Sequence, residues 1–112
     1  MKEIYEFIKE DEFAVTEIMG TKFGFKKWTW GEHNATTASC AKFNPISGEA
    51  SIDLQAFNED LVKKTVFYKN EEGKFVPFTT EEIKTMDSQL GERLFQITAK
   101  LNLVGSVDTK NL

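Results

Sequence analysis

Lys22-Phe23-Gly24-Phe25-Lys26-Lys27-Trp28-Thr29-Trp30-Gly31-Glu32 holds both halves of the fold in one run. Phe23 and Phe25 alternate with Lys22 and Lys26, which is the period of a strand with one apolar face. Thr29 and Glu32 then match the reciprocal capping box, where the Thr hydroxyl accepts an early helical amide and the Glu reaches back to the cap amide. A strand that runs directly into a helix cap predicts an α+β fold. The remainder of the chain predicts a small β-hairpin or sheet with two or three helices, one of them a long C-terminal amphipathic helix.

Upstream, Phe13 and Val15 alternate as in a strand, with Ile18 one step out of phase, and Met19-Gly20-Thr21 offers the turn that closes a hairpin with residues 22–28. Ile4, Phe7 and Ile8 sit at helical spacing ahead of Glu10-Asp11-Glu12, predicting a short helix or an irregular arm. Downstream, Ala35, Ala38, Cys40 and Ala41 predict a helix over residues 30–43. Thr36, Thr37 and Ser39 make that helix dependent on packing. Asn44-Pro45-Ile46-Ser47-Gly48 is a turn signal, followed by a short strand through 49–52.

Asp53 reads as a second N-cap, with Ile52 and Phe57 placed as a hydrophobic staple across it. Leu54, Phe57, Leu61 and Thr65 form the stripe of that helix, and Lys63 and Lys64 favour its C-terminal dipole. Val66-Phe67-Tyr68 and Phe75-Val76-Pro77 flank a polar turn and predict a second hairpin or a loop. Thr79 and Glu82 repeat the capping box, with Phe78 and Ile83 as its staple. Ile83, Met86, Leu90, Leu94, Ile97 and Leu101 then recur at helical steps, predicting one long amphipathic helix. Gly91 interrupts it at a cost of about 1 kcal/mol relative to Ala.

The chain has 112 residues, enough for one core, and predicts a single domain over 1–105 with a flexible tail over 106–112. Its 40% hydrophobic and 29% charged residues fit a globular class, with ten phenylalanines to fill the interior. The net charge of −4 disfavours general attraction to nucleic acid or an anionic membrane. A single cysteine, Cys40, excludes an intrachain disulfide framework and suits the cytoplasm. Acids at Glu3 and Glu6 break any signal-peptide pattern, and no apolar run approaches the ~20 residues of a membrane helix.

Reactive chemistry is sparse. His33 and Cys40 are the only such pair, and on one helix they would lie roughly 10 Å apart, too far for a nucleophile and its base. One His and one Cys without spaced carboxylates do not build a zinc site, and no cofactor motif is present. The acids at 10–12, 71–72 and 81–82 read as solvated charge or helix capping. Asn34-Ala35-Thr36 is a chance glycosylation triplet. Lysines interleaved with aromatic rings over 22–30 leave a single-stranded nucleic-acid module as an alternative, although the second aromatic strand of such barrels is missing.

Lys27-Trp28-Thr29-Trp30-Gly31-Glu32-His33-Asn34, the loop Asn44-Pro45-Ile46-Ser47-Gly48-Glu49, the helix over 52–61, and the segments 77–84 and 90–94 resemble the tail assembly chaperones of long-tailed bacteriophages and related proviruses. The resemblance implies a non-enzymatic helper in the host cytoplasm that coats the apolar, helical tape-measure protein until tube subunits displace it. It also implies self-association into a homo-oligomer. Phe23, Phe25, Trp28 and Trp30 are then the candidate partner-binding residues, with the stripe from 83 to 101 as either client surface or core. A minor structural virion protein is a further alternative.

Overall fold

A computed structural model describes residues 8–10 and 13–104, with backbone alone at 8–10 and 104. Seven strands and four helices follow one another: β1 (Ile8–Glu10), β2 (Phe13–Ile18), β3 (Thr21–Phe25), α1 (Trp30–Cys40), β4 (Ala41–Phe43), β5 (Ala50–Ile52), α2 (Leu54–Thr65), β6 (Val66–Lys69), β7 (Phe75–Pro77), α3 (Thr80–Thr85) and α4 (Ser88–Ala99). A π-helical turn, Lys100–Val104, extends α4. The α+β class and an amphipathic C-terminal helix are as the sequence predicts.

The main sheet is antiparallel, in the order β1-β2-β3-β6-β7. Met19 and Gly20 close the β2–β3 hairpin with φ of 53° and 82°. Two successive positive φ values match the twist of the flanking strands. Register then sets the two faces. Phe23 and Phe25 pair with Thr16 and Ala14 on one side and with Tyr68 and Val66 on the other, and they face the helices. Phe13, Phe67 and Phe75 share the opposite face, with ring centroids 4.8 and 5.0 Å apart about Phe13. Gly24 lets Phe13 cross there, because a Cβ would lie 3.0 Å from the Phe13 side chain, tighter than an ordinary contact.

The core is the layer between sheet and helices: Ile18, Phe23, Phe25, Val62, Val66, Phe78, Leu94 and Ile97 are buried together. Each such aliphatic or aromatic side chain contributes about 1.5–3 kcal/mol through burial. Both predicted capping boxes form. Thr29 and Thr79 accept from Glu32 and Glu82 amides at 3.0 and 3.1 Å, and each Glu accepts from its cap amide at 2.8 Å. Asp53 caps α2 by accepting from Ala56 at 3.1 Å.

Four readings change. Ile8 lies in strand β1 and not in a helix, while Ile4 and Phe7 fall outside the described residues, as does the tail 106–112. The helix expected over 30–43 stops at Cys40, because Ala41–Phe43 pairs with Ala50–Ile52 as a separate two-stranded ribbon. The stripe of α2 holds at Leu61 and Thr65, which are buried with Val62, and at half-buried Phe57, but not at Leu54, which is exposed. The third predicted helix is broken at Met86–Asp87, where Asp87 starts α4 by accepting from the Gln89 and Leu90 amides, each at 3.1 Å.

Candidate partner-binding site

The four aromatic residues singled out in the sequence do not form one surface. Phe23 and Phe25 are 3% and 1% exposed, and Phe23 stacks on Phe78 at 6.3 Å. They are core, because the face on which they alternate is the one the helices cover. Trp28 is half-buried, edge-on to Phe57 at 5.9 Å and 5.0 Å from the His33 ring. Trp30, at the first position of α1, is 81% exposed. Only Trp30 is fully presented to a partner. The buried rings of Phe23 and Phe25 have no free face on which a base could stack.

Trp28 is held by a polar path through the interior. Asn102 Oδ1 accepts from the Trp28 amide at 3.0 Å, and Nδ2 donates to the Lys26 carbonyl at 3.2 Å. The side-chain amide thus pairs with the linker after β3 as a neighbouring strand would. Nδ2 also donates to Thr98 Oγ1 at 2.9 Å, and Thr98 and Thr65 share a hydroxyl contact of 2.5 Å. Thr65 in turn donates to the Leu61 carbonyl at 2.7 Å. Thr65 and Thr98 are fully buried, so every donor in this path must be paired for burial to be tolerated. The direction is then fixed from Asn102 through Thr98 and Thr65 to Leu61.

The reactive groups have structural partners. His33 lies against Trp28 and Phe57, while Cys40 is buried with Ser39 Oγ at 3.8 Å from its sulfur. The buried Thr36 hydroxyl donates to Asp60 at 2.5 Å and accepts from Lys64 at 2.7 Å, and Lys64 and Asp60 form an ion pair at 3.2 Å. This cluster ties α1 to α2. Among the described residues, no three of His, Cys, Asp and Glu converge as metal ligands.

The apolar surface available for a partner lies elsewhere. A groove of about 360 Å³ runs between α2 and the broken α3–α4 pair, floored by Val62, Ile83, Met86 and Phe95 and edged by Glu59 and Glu92. It exists because the chain turns at Met86–Asp87, and Gly91 lines it beside Met86, whose sulfur lies 3.5 Å from where a Cβ would be. Sequence periodicity missed it, since the apolar spacing continues unbroken across Met86. The usable signal is Asp87 followed by Ser88 and Gln89, a cap-like start inside the stripe.

A second apolar surface is the β4–β5 ribbon, where Phe43 is 67%, Ile46 96% and Ile52 43% exposed. Asn44 shapes its turn, with Oδ1 accepting from Ile46 at 2.9 Å and its carbonyl accepting from Gly48 at 2.7 Å. Among the described residues, no helix is long and apolar enough to cross a membrane. Comparison of the chain with protein-family models, with curated proteins and with solved structures finds no match to any of them.

Proposed function

We propose that this chain is a non-enzymatic binding protein that holds an apolar, helical partner, in the manner of a phage tail assembly chaperone acting on its tape-measure protein in the host cytoplasm. The observation that carries this reading is the open groove between α2, α3 and α4. An amphipathic helix seats anchors at i, i+3 or i+4 and i+7 in such a groove. Met86 lends adaptability to its floor, because an unbranched thioether repacks against differently shaped side chains. Glu59 on the rim already pairs with Lys84 at 3.7 Å, which leaves Glu92 to favour a helix whose apolar face is flanked by Lys or Arg. The pairing of Cys40 and His33 with structural neighbours supports a protein without a catalytic centre.

Co-expression with a candidate tape-measure protein is the test. The expected result is co-purification and a rise in soluble partner, both lost in Phe95→Asp. If the partner neither binds nor gains solubility, the reading falls.

A further inference from the structure

Helix α3 lies on α2 with none of its own side chains fully buried. Ile83, and Met86 just beyond the helix, are half-buried against the core. Its polar ties are open to water: Lys63 Nζ donates to the Thr80 hydroxyl at 2.7 Å, Lys84 pairs with Glu59 at 3.7 Å, and half-buried Tyr68 donates to Glu82 at 3.2 Å. Exposed pairs of this kind hold weakly. A cavity lies on each side of α3. The groove of about 360 Å³ is on the α4 side, and a second of about 240 Å³ is on the α1 side, where Ser39 and Cys40 line it. Asn58 and Val62 wall the first and Ala56, Asp60 and Lys63 the second, which at about 100° per residue are opposite flanks of α2. Glu59 and Ile83 line both cavities, so the contact of α3 with α2 is the partition between them.

Both ends of α3 are attached to fixed points. Phe78, just ahead of its cap, is buried, stacked on Phe23 at 6.3 Å and set against Tyr68 at 4.9 Å. At the other end Met86 is extended, with ψ of 144°, and Asp87 caps α4 with its own carboxylate, so α4 starts without help from α3. The capping box of Thr79 and Glu82 and the bond from the Ile83 amide to the Thr79 carbonyl lie within residues 79–83 and travel with the helix. A segment with little buried apolar surface between two well-anchored ones belongs to the low-stability end of a fold.

We propose, on the reading that this chain binds apolar helices, that α3 is a displaceable stand-in for the partner: it lifts from α2, the two cavities join into one trough, and a helix of the partner takes its place. The chemistry of α3 defines the occupant. An apolar pair at i and i+3 with Lys or Arg at i+1, the pattern of Ile83, Lys84 and Met86, would fill the trough and take over Glu59. With α3 gone, Glu59 and Glu92 face Lys63, while Asp60 stays paired with Lys64, and this balance favours a basic residue on the incoming helix. A partner helix of several turns reaches both cavities and buries more apolar surface than α3 does. The cost of opening lowers the apparent affinity, which suits a partner that must later be released.

Hydrogen exchange of the full chain, free and bound to a candidate tape-measure protein, is the test. In the free chain the amides of Ile83, Lys84 and Thr85 should exchange at least about ten times faster than those of Leu94 and Ile97. Binding should make the α3 amides at least about three times faster still, because a helix this short frays once it leaves its support. Ser39→Trp, at an exposed position, fills the cavity on the α1 side; it should keep the far-ultraviolet circular dichroism of the parent and weaken capture at least about tenfold. Slow α3 amides in the free chain, α3 amides that gain protection on binding, or equal capture by Ser39→Trp and the parent overturn the displacement of α3 and leave the open groove as the binding site. A parent chain that captures nothing overturns the binding reading and the displacement with it.

Discussion

Asn102 accepts the amide of Trp28 at 3.0 Å across 74 positions of sequence, and through this one side chain the π-helical end of α4 fixes the segment that leads into α1. The same amide group holds the Lys26 carbonyl and the Thr98 hydroxyl, so one residue joins the end of the central strand β3, the C-terminal helix and the Trp28–Phe57 contact. Asn102→Ala leaves the Trp28 amide and the Lys26 carbonyl without their partner and should cost about 1–3 kcal/mol in urea unfolding. Asn102→Asp keeps the acceptor for Trp28 but loses the donor, and should fall between the two. Trp28 fluorescence should shift to the red in Asn102→Ala while the helix content is retained. Unchanged stability would show that Asn102 does not hold the linker.

Thr65 and Thr98 supply a second, separable test of that path. Thr65→Val removes the acceptor of the buried Thr98 hydroxyl and should cost about 1–3 kcal/mol, because that donor is then unpaired. Thr65→Val with Thr98→Val removes both hydroxyls at nearly constant volume, so the double variant should be less destabilised than the sum of the two single ones. The double-mutant cycle reads that coupling. An additive result would deny the hydrogen bond between them.

Gly24 sits where Phe13 crosses the back of the sheet, 3.0 Å from the position of an added Cβ. Gly24→Ala should destabilise by about 1–3 kcal/mol through overpacking, and Phe13→Ala in the same chain should relieve the clash while costing the ring contacts with Phe67 and Phe75. Thermal unfolding of the two single variants and the double one measures both effects. A tolerated Gly24→Ala would place Phe13 away from this strand.

What could be read beforehand divides by range. Thr29, Asp53 and Thr79 were legible as caps because a cap is complete within four residues, and Met19-Gly20 was legible as a turn for the same reason. The break at Met86–Asp87 was hidden, since Met86 and Leu90 stay in phase across it. Ala41 and Lys42 looked helical because nothing local announces pairing with Ile52 and Ser51, which lie beyond the Asn44 turn. Phe23 and Phe25 were correctly placed on one face, but which face the helices cover is a tertiary outcome, and that face turned out to be theirs. Asn102 carries no local signal for its role, because its backbone and hydroxyl partners come together only after folding.

Acid should weaken the fold through Glu82 and Asp53. Glu82 is held below its ordinary value by the Thr79 amide, with Tyr68 donating to it as well, and Asp53 is held down by the Ala56 amide and by Lys42. A carboxylate with a depressed folded value contributes stability above its unfolded value, and that contribution is lost as pH falls through the folded value. The unfolding temperature should therefore be level near neutrality and drop below about pH 4.5, the region in which unfolded carboxylates take up protons. Glu82→Gln keeps a capping-box side chain and should flatten the drop. An identical acid profile in Glu82→Gln would remove Glu82 from the account.

Gly91 separates stability from partner capture. Within α4 a glycine costs about 1 kcal/mol relative to alanine, and the space beside it is sufficient, since an added Cβ would meet the Met86 sulfur at 3.5 Å, an ordinary contact. Gly91→Ala should therefore raise stability by roughly 0.5–1 kcal/mol in urea unfolding, part of it through a less free unfolded chain. The same methyl group projects toward Met86 on the floor of the groove and reduces the room that a docked helix would fill. If the groove holds the partner, capture of the tape-measure protein should weaken even as the chain becomes more stable. A variant that is more stable and binds as before would clear Gly91 of any part in recognition and direct the search to the exposed Trp30 and the β4–β5 ribbon. Because the two readouts are expected to move in opposite directions, general damage to the fold could not produce the predicted result.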